Sequence, residues 1–136
     1  KNFGKQNYID LVNNLKQKFP NLLIAMLGEP EGSYFSEGVP EGCLDLINIK
    51  NKDRMNDQLF ILQHSLFALG SISGAMLVAL GAGCPSLIWG FADAKIPTEQ
   101  NNPLSTQLYY IDDMQPDISK IIDGIQKLNF FIFIRL

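Results

Sequence analysis

Residues 66–90 read LFALGSISGAMLVALGAGCPSLIWG, and the order of residue types in this stretch decides the fold. Leu66 to Leu69 predicts a strand, Gly70 to Gly74 a turn of small residues, and Ala75 to Ala82 a short helix of small and apolar residues buried against a sheet. Gly83 closes that helix and Pro85 opens a further strand, Ser86 to Trp89. The strands are continuous apolar runs, not alternating ones, which is the pattern of a parallel sheet covered on both faces.

The same pattern extends outward. Ile9, Val12, Leu15 and Phe19 recur at helical spacing until Pro20, predicting an amphipathic helix over 7–19. Leu22 to Leu27, ended by Gly28, is a strand covered on both faces, and Leu44 to Ile49 is a second short strand. Asp53 and Asn56 are candidate caps for a helix over 56–64. Tyr109 to Ile111 gives a last strand, and Ile118, Ile121, Ile122, Ile125 and Leu128 form the stripe of a helix over 116–128.

This alternation predicts an α/β fold: a Rossmann-like layered domain over residues 1–128, with a mostly parallel sheet and helices on both faces. Such a domain ordinarily opens on a strand, so the order leaves place for a first strand upstream of Lys1. Residues 129–136, NFFIFIRL, form an apolar tail of strand character, suited to a sheet edge or a partner.

The 136 residues accommodate one domain with a real core. Apolar residues at 46% against 18% charged exclude a disordered chain. A net charge of −3 with no basic stripe argues against polymeric nucleic acid, but a single nucleotide needs only backbone amides at a helix start. Cys43 and Cys84 have no CxxC or Cys/His spacing, so neither a disulfide framework nor a metal site is expected. No apolar run has membrane-spanning length and no signal-peptide core opens the chain, so the expected location is cytoplasmic.

Two segments carry candidate chemistry. Residues 28–42 are rich in Gly, Pro and Glu and read as a long surface loop without a regular element. In the quoted stretch, Gly70 and Gly74 allow close backbone approach and positive φ, while Ser71 and Ser73 offer hydroxyls or a cap. The helix they open presents free amides at the carboxyl end of a strand, where α/β sheets bind ligands and the helix dipole favours phosphate. Tight packing on the sheet would also explain the small residues. The segment is neither a P-loop nor a full GxGxxG.

Residues 72–85, ISGAMLVALGAGCP, resemble the D-S-G-P-M-H-x-A-A-x-x-G-x-P signature of heptosyltransferase-like glycosyltransferases and align with it without a gap. The order of elements over residues 5–128 is similar to the C-terminal half of those two-domain GT-B enzymes. The resemblance implies a nucleotide-sugar donor, with its diphosphate at Ser73, Gly74, Ala75 and Met76. Gly28 and Ser71 complete the implied nucleotide-binding set, and Glu99 is the candidate substitute for a ribose-holding carboxylate. It further implies sugar transfer to an acceptor hydroxyl in cell-envelope polysaccharide synthesis and no cofactor beyond the donor. An acceptor-binding half outside this chain would supply the general base, and the full-length protein would lie peripheral to a membrane. Ile72 and Leu77 depart from the family's Asp and His, and Val78 stands where many GT-B enzymes have a ribose-binding Glu. These departures favour the alternative of a non-catalytic nucleotide-binding or interaction module. A sugar-nucleotide 2-epimerase, which shares a similar Ser-Gly turn, ranks third.

The remaining candidates each have a plainer reading. His64, the sole histidine, falls at a helix end. Asp112 and Asp113 suit a turn before the last helix as well as a ribose. Lys52, Arg54 and Lys95 are loop cations within possible reach of phosphate, and Trp89 and Phe91 either stack a base or fill the core.

Overall fold

The computed structural model describes residues 3–49 and 53–135; Lys52 and Leu136 lie outside the described residues. The fold is α/β, with two small parallel sheets flanked by helices. Contacts divide it into two compact units, residues 3–58 and residues from Leu59 onward. No helix among the described residues is long and apolar enough to cross a membrane.

The first unit opens with α1 (Lys5–Lys18), which buries Leu11, Val12 and Leu15. The Phe19 amide closes its last turn on the Leu15 carbonyl at 2.8 Å, and Pro20 has no N–H with which to continue. β1 (Ala25–Met26) pairs in parallel with β2 (Leu44–Asp45). Both strands are shorter than their apolar runs, and the expected cover on both faces is corrected: Leu23 is 95% exposed and Leu44 52%. The reason lies where each strand ends. Gly28 turns the chain at φ +140° after β1. After β2, Asp45 Oδ1 accepts the Ile47 and Asn48 amides at 2.9 and 3.0 Å, so the next residues curl into an Asx turn and leave the ladder.

Burial alone would raise the pKa of Asp45. The Asn48 side chain and the Asn48 and Ile47 amides outweigh it and hold the carboxyl below the usual range. The Asp45 contribution to stability is therefore present above the ordinary carboxylate pKa and lost as pH falls through the lowered one. In an acid titration, Asp45→Asn should lessen the fall in stability of the first unit below about pH 4. An unchanged acid limb would refute this role.

α2 (Arg54–His64) leads from the first unit into the second. It starts at Arg54, two residues earlier than expected, so Asn56 lies inside it and caps nothing. Gln58, 8% exposed, donates through Nε2 to the Gly28 carbonyl at 2.9 Å and the Leu46 carbonyl at 3.0 Å, tying together the exits of β1 and β2.

The second unit is the α/β layer read from residues 66–90. β3 (Ala68–Ser71), β4 (Ser86–Gly90) and β5 (Leu108–Asp112) form one parallel sheet in that order, with Ser71 opposite Trp89 and Gly90 opposite Asp112. The central strand β4 is buried along its whole length. α3 (Gly74–Gly81) packs on β3 and β4, and α5 (Ile118–Arg135) on β4 and β5. A Cβ on Gly70 would lie 3.2 Å from Met76 Sδ, so α3 covers the face bearing Gly70, Ile88 and Tyr110. A Cβ on Gly124 would meet Leu87 and Tyr109, so α5 covers the opposite face. Helices thus flank this sheet on both sides, as the sequence predicts.

α3 ends in a Schellman motif: the Gly83 amide donates to Leu80 at 3.1 Å and the Cys84 amide to Ala79 at 3.0 Å, with Gly83 at φ +80°. In the first unit the stretch 28–42 holds a short 3-10 turn, Pro30–Gly32, where no regular element was expected, and two stretches of the second unit also depart from expectation. The polar stretch after Gly90 contains a 3-10 turn, Ala92–Ala94, and α4 (Lys95–Gln100), which packs on β5. The tail is not a strand either, because α5 continues through it to Arg135. Nothing between Leu128 and Arg135 breaks a helix, and extending a formed helix costs far less than nucleating a new element.

Candidate functional site at the carboxyl edge of the second sheet

All three strands of the second unit run the same way, so their exits share one edge. β3 leaves through Ser71 and Ile72 into α3, β4 through Gly90 into Phe91, and β5 through Asp112 into Asp113. Ser73 is the N-cap of α3: its backbone is extended and its Oγ accepts the Met76 amide at 3.4 Å. The Leu77 amide bonds the Ser73 carbonyl at 3.2 Å. The amides of Gly74 and Ala75 are left at the open end of the helix, where no intrahelical acceptor can reach them. Ser73, Gly74 and Ala75 are exposed, and a Cβ built on Gly74 has nothing within 4 Å.

The sequence-derived candidates divide accordingly. Ser71, Ser73, Gly74 and Ala75 come together at this helix start. Met76 joins them through its amide alone, because its side chain, 6% exposed, is packed under the helix against Gly70. Neither Gly70 nor Gly74 takes the positive φ expected of it; Gly70 is small because Met76 lies over it. Gly28 belongs to the first unit, where its carbonyl is held by Gln58. Glu99 is not brought to this edge. It lines an open hollow of about 340 Å³ with Asn102, Ser105, Thr106 and Leu108, and Leu108 is the amino end of β5.

The other candidates also find their places. Trp89 is fully buried, which excludes it as a stacking platform, whereas Phe91 is 51% exposed at the exit of β4. Asp113 Oδ1 accepts the Gln115 amide at 2.9 Å, a turn role. His64 Nδ1 lies 2.8 Å from the Phe60 carbonyl and its ring stacks on Phe60 at 4.3 Å, a helix-end packing role. Arg54 reaches the Ile49 carbonyl in the first unit. Lys95 is exposed at the start of α4, on the side from which the strands exit.

Tyr110 is the residue of this edge that sequence reasoning missed. Its hydroxyl donates to the Phe91 carbonyl at 2.9 Å and fixes the exit of β4. A Cβ on Gly90 would lie 2.6 Å from that hydroxyl and 2.7 Å from Ile72 Cγ2. The missing side chain at Gly90 therefore makes room for both neighbours, and Ile72 turns over the sheet where the resembled signature has Asp. Burial, and then the charge of Asp112, push the Tyr110 phenol up, so it stays a proton donor.

The chemistry available here is that of anion binding: two free amides, the positive end of a helix dipole, and the Ser73 hydroxyl, which keeps a proton to donate while its oxygen caps Met76. Cys84 is buried and its thiol is pushed up to about 11. No group of three His, Cys, Asp or Glu side chains gathers as a metal site among the described residues. No protein-family model, curated protein or solved structure matches the chain, so the resemblance rests on residues 72–85 themselves and on the order of elements around them.

Proposed function

We propose that the second unit binds a nucleotide-diphosphate sugar, with the diphosphate against the Gly74 and Ala75 amides and the Ser73 hydroxyl. The chain then serves as the donor-binding half of a sugar-transferring enzyme. One observation carries this reading: the start of α3 is exposed, with open space over Gly74, at the edge where the parallel strands end. In transfer, the amides would stabilise the charge that develops on the departing diphosphate, and Lys95 is an exposed cation on the side where the strands exit. Deprotonation of the acceptor would fall to a base outside these residues, so this chain should bind donor without turning it over.

Calorimetric titration with UDP, ADP, GDP and CMP tests the proposal. Saturable binding of at least one nucleoside diphosphate is expected, weakened tenfold or more by Gly74→Val. The added Cβ meets no neighbour within 4 Å, so that variant should keep its fold, as an unchanged circular dichroism spectrum would show. Absence of saturable heat with all four nucleotides would overturn the donor reading. It would favour the second one, a non-catalytic interaction module. That reading draws support from Asp112 and Asp113, whose carboxylates stand at the same edge and oppose a phosphate group.

A further inference from the structure

The first unit carries an open groove of about 630 Å³ that the donor reading does not use. One wall is a single face of α1, formed by Lys5, Ile9, Asn13 and Lys16, which spans about 16 Å at 1.5 Å per residue. The other wall is the Gly- and Glu-rich loop, from Phe35 to Gly42. A lysine marks each end. Lys5 Nζ lies 5.8 Å from the centre of the Phe35 ring, and Lys16 Nζ donates to the Glu41 carbonyl. Between them Ile9, Val39 and Pro40 are half-buried and form an apolar floor, with the Asn13 carboxamide exposed above it.

Three properties of this groove restrict its occupant. Its length matches about five extended residues at roughly 3.3 Å each. Its apolar middle with one primary amide suits a peptide, because a carboxamide pairs with both the N–H and the C=O of a peptide unit while the floor takes an apolar side chain. Its charge opposes its surroundings: carboxylates outnumber cations over residues 3–58, yet two ammonium groups face a single carboxylate, Glu41, along the lining. We propose that the groove binds a short extended peptide segment with an acidic side chain near each end and apolar residues between. All the residues involved belong to the first unit, so the inference stands apart from the nucleotide reading.

The test uses the acetylated and amidated pentapeptide Asp-Leu-Val-Leu-Asp, with Asn-Leu-Val-Leu-Asn and Lys-Leu-Val-Leu-Lys as counterparts. Each is titrated into the nitrogen-15-labelled chain while amide shifts are followed. The acidic peptide should give saturable shifts centred on Ile9, Asn13 and residues 38–42. Binding should be about tenfold weaker with the Asn peptide and undetectable with the Lys peptide. Lys5→Gln should also weaken it severalfold; Lys5 is exposed, so the unchanged spectrum of the free variant would show an intact fold. No saturable shift at millimolar acidic peptide, equal affinity for all three peptides, or shifts centred outside the groove would each overturn the proposal.

Discussion

Gly124→Ala is expected to destabilise the second unit by about 2 kcal/mol, although alanine is the better helix former by about 1 kcal/mol. The methyl group would overlap Leu87 Cδ1 and stand 2.9 Å from two carbons of the Tyr109 ring, against an optimal carbon separation of about 3.5–4.0 Å. Neither neighbour yields easily. Leu87 is fully buried on the central strand, and the Tyr109 hydroxyl is held by Lys127 Nζ at 3.1 Å. The overlap can be relieved only by lifting α5 or by forcing Leu87 from its rotamer. Urea denaturation followed by circular dichroism measures the loss. In the Leu87→Ala background the same glycine substitution should cost at least about 0.5 kcal/mol less, because the space it needs is then free. Equal stability of Gly124→Ala and the parent would show that α5 is not seated at this point.

Gln58→Leu should cost the first unit about 2–3 kcal/mol with little change in side-chain volume. One Nε2 group satisfies the Gly28 and Leu46 carbonyls, and leucine leaves both without a donor in a site where the side chain is 8% exposed. A companion variant separates this from packing. In Gln58→Glu the carboxylate faces two carbonyls at neutral pH, and protonation restores one donor. Its deficit relative to the parent should therefore shrink as pH falls through the raised carboxyl pKa. Equal denaturation midpoints for Gln58→Leu and the parent would refute the tie between the two strands.

What the sequence revealed and what it hid follow from the range of the interactions involved. Ser73 caps α3, and Gly83 with Cys84 closes it, through hydrogen bonds that reach no more than five residues along the chain, so these boundaries were readable within a residue or two. α4 was hidden by Pro97. That proline falls at the third position of the helix, in the first turn, where an amide has no intrahelical acceptor to lose. Thr98 then supports the turn by donating to the Ala94 carbonyl at 2.6 Å. In the first unit the apolar runs did not show where pairing would stop, because the Asp45 turn and the Gln58 tie decide it, and Gln58 acts on Gly28 from thirty residues away.

The candidate site divides in the same way. The exposed start of α3 was legible because cap, glycine and strand end are neighbours in sequence. The placing of Glu99 was not, because it depends on α4 carrying the chain from one edge of the sheet to the other. Tyr110 escaped notice because its role at the edge is set by Gly90 and Phe91, residues of the adjacent strand and its exit.

The two free thiols are distributed one to each compact unit, Cys43 half-buried in the first and Cys84 enclosed in the second. An alkylating reagent reacts with thiolate and has to reach it, so capture of Cys84 waits for the second unit to open, while Cys43, partly open to solvent, is captured from the folded first unit. The slower capture of Cys84 then times the opening of the second unit, with Cys43 as an internal standard for reagent and pH.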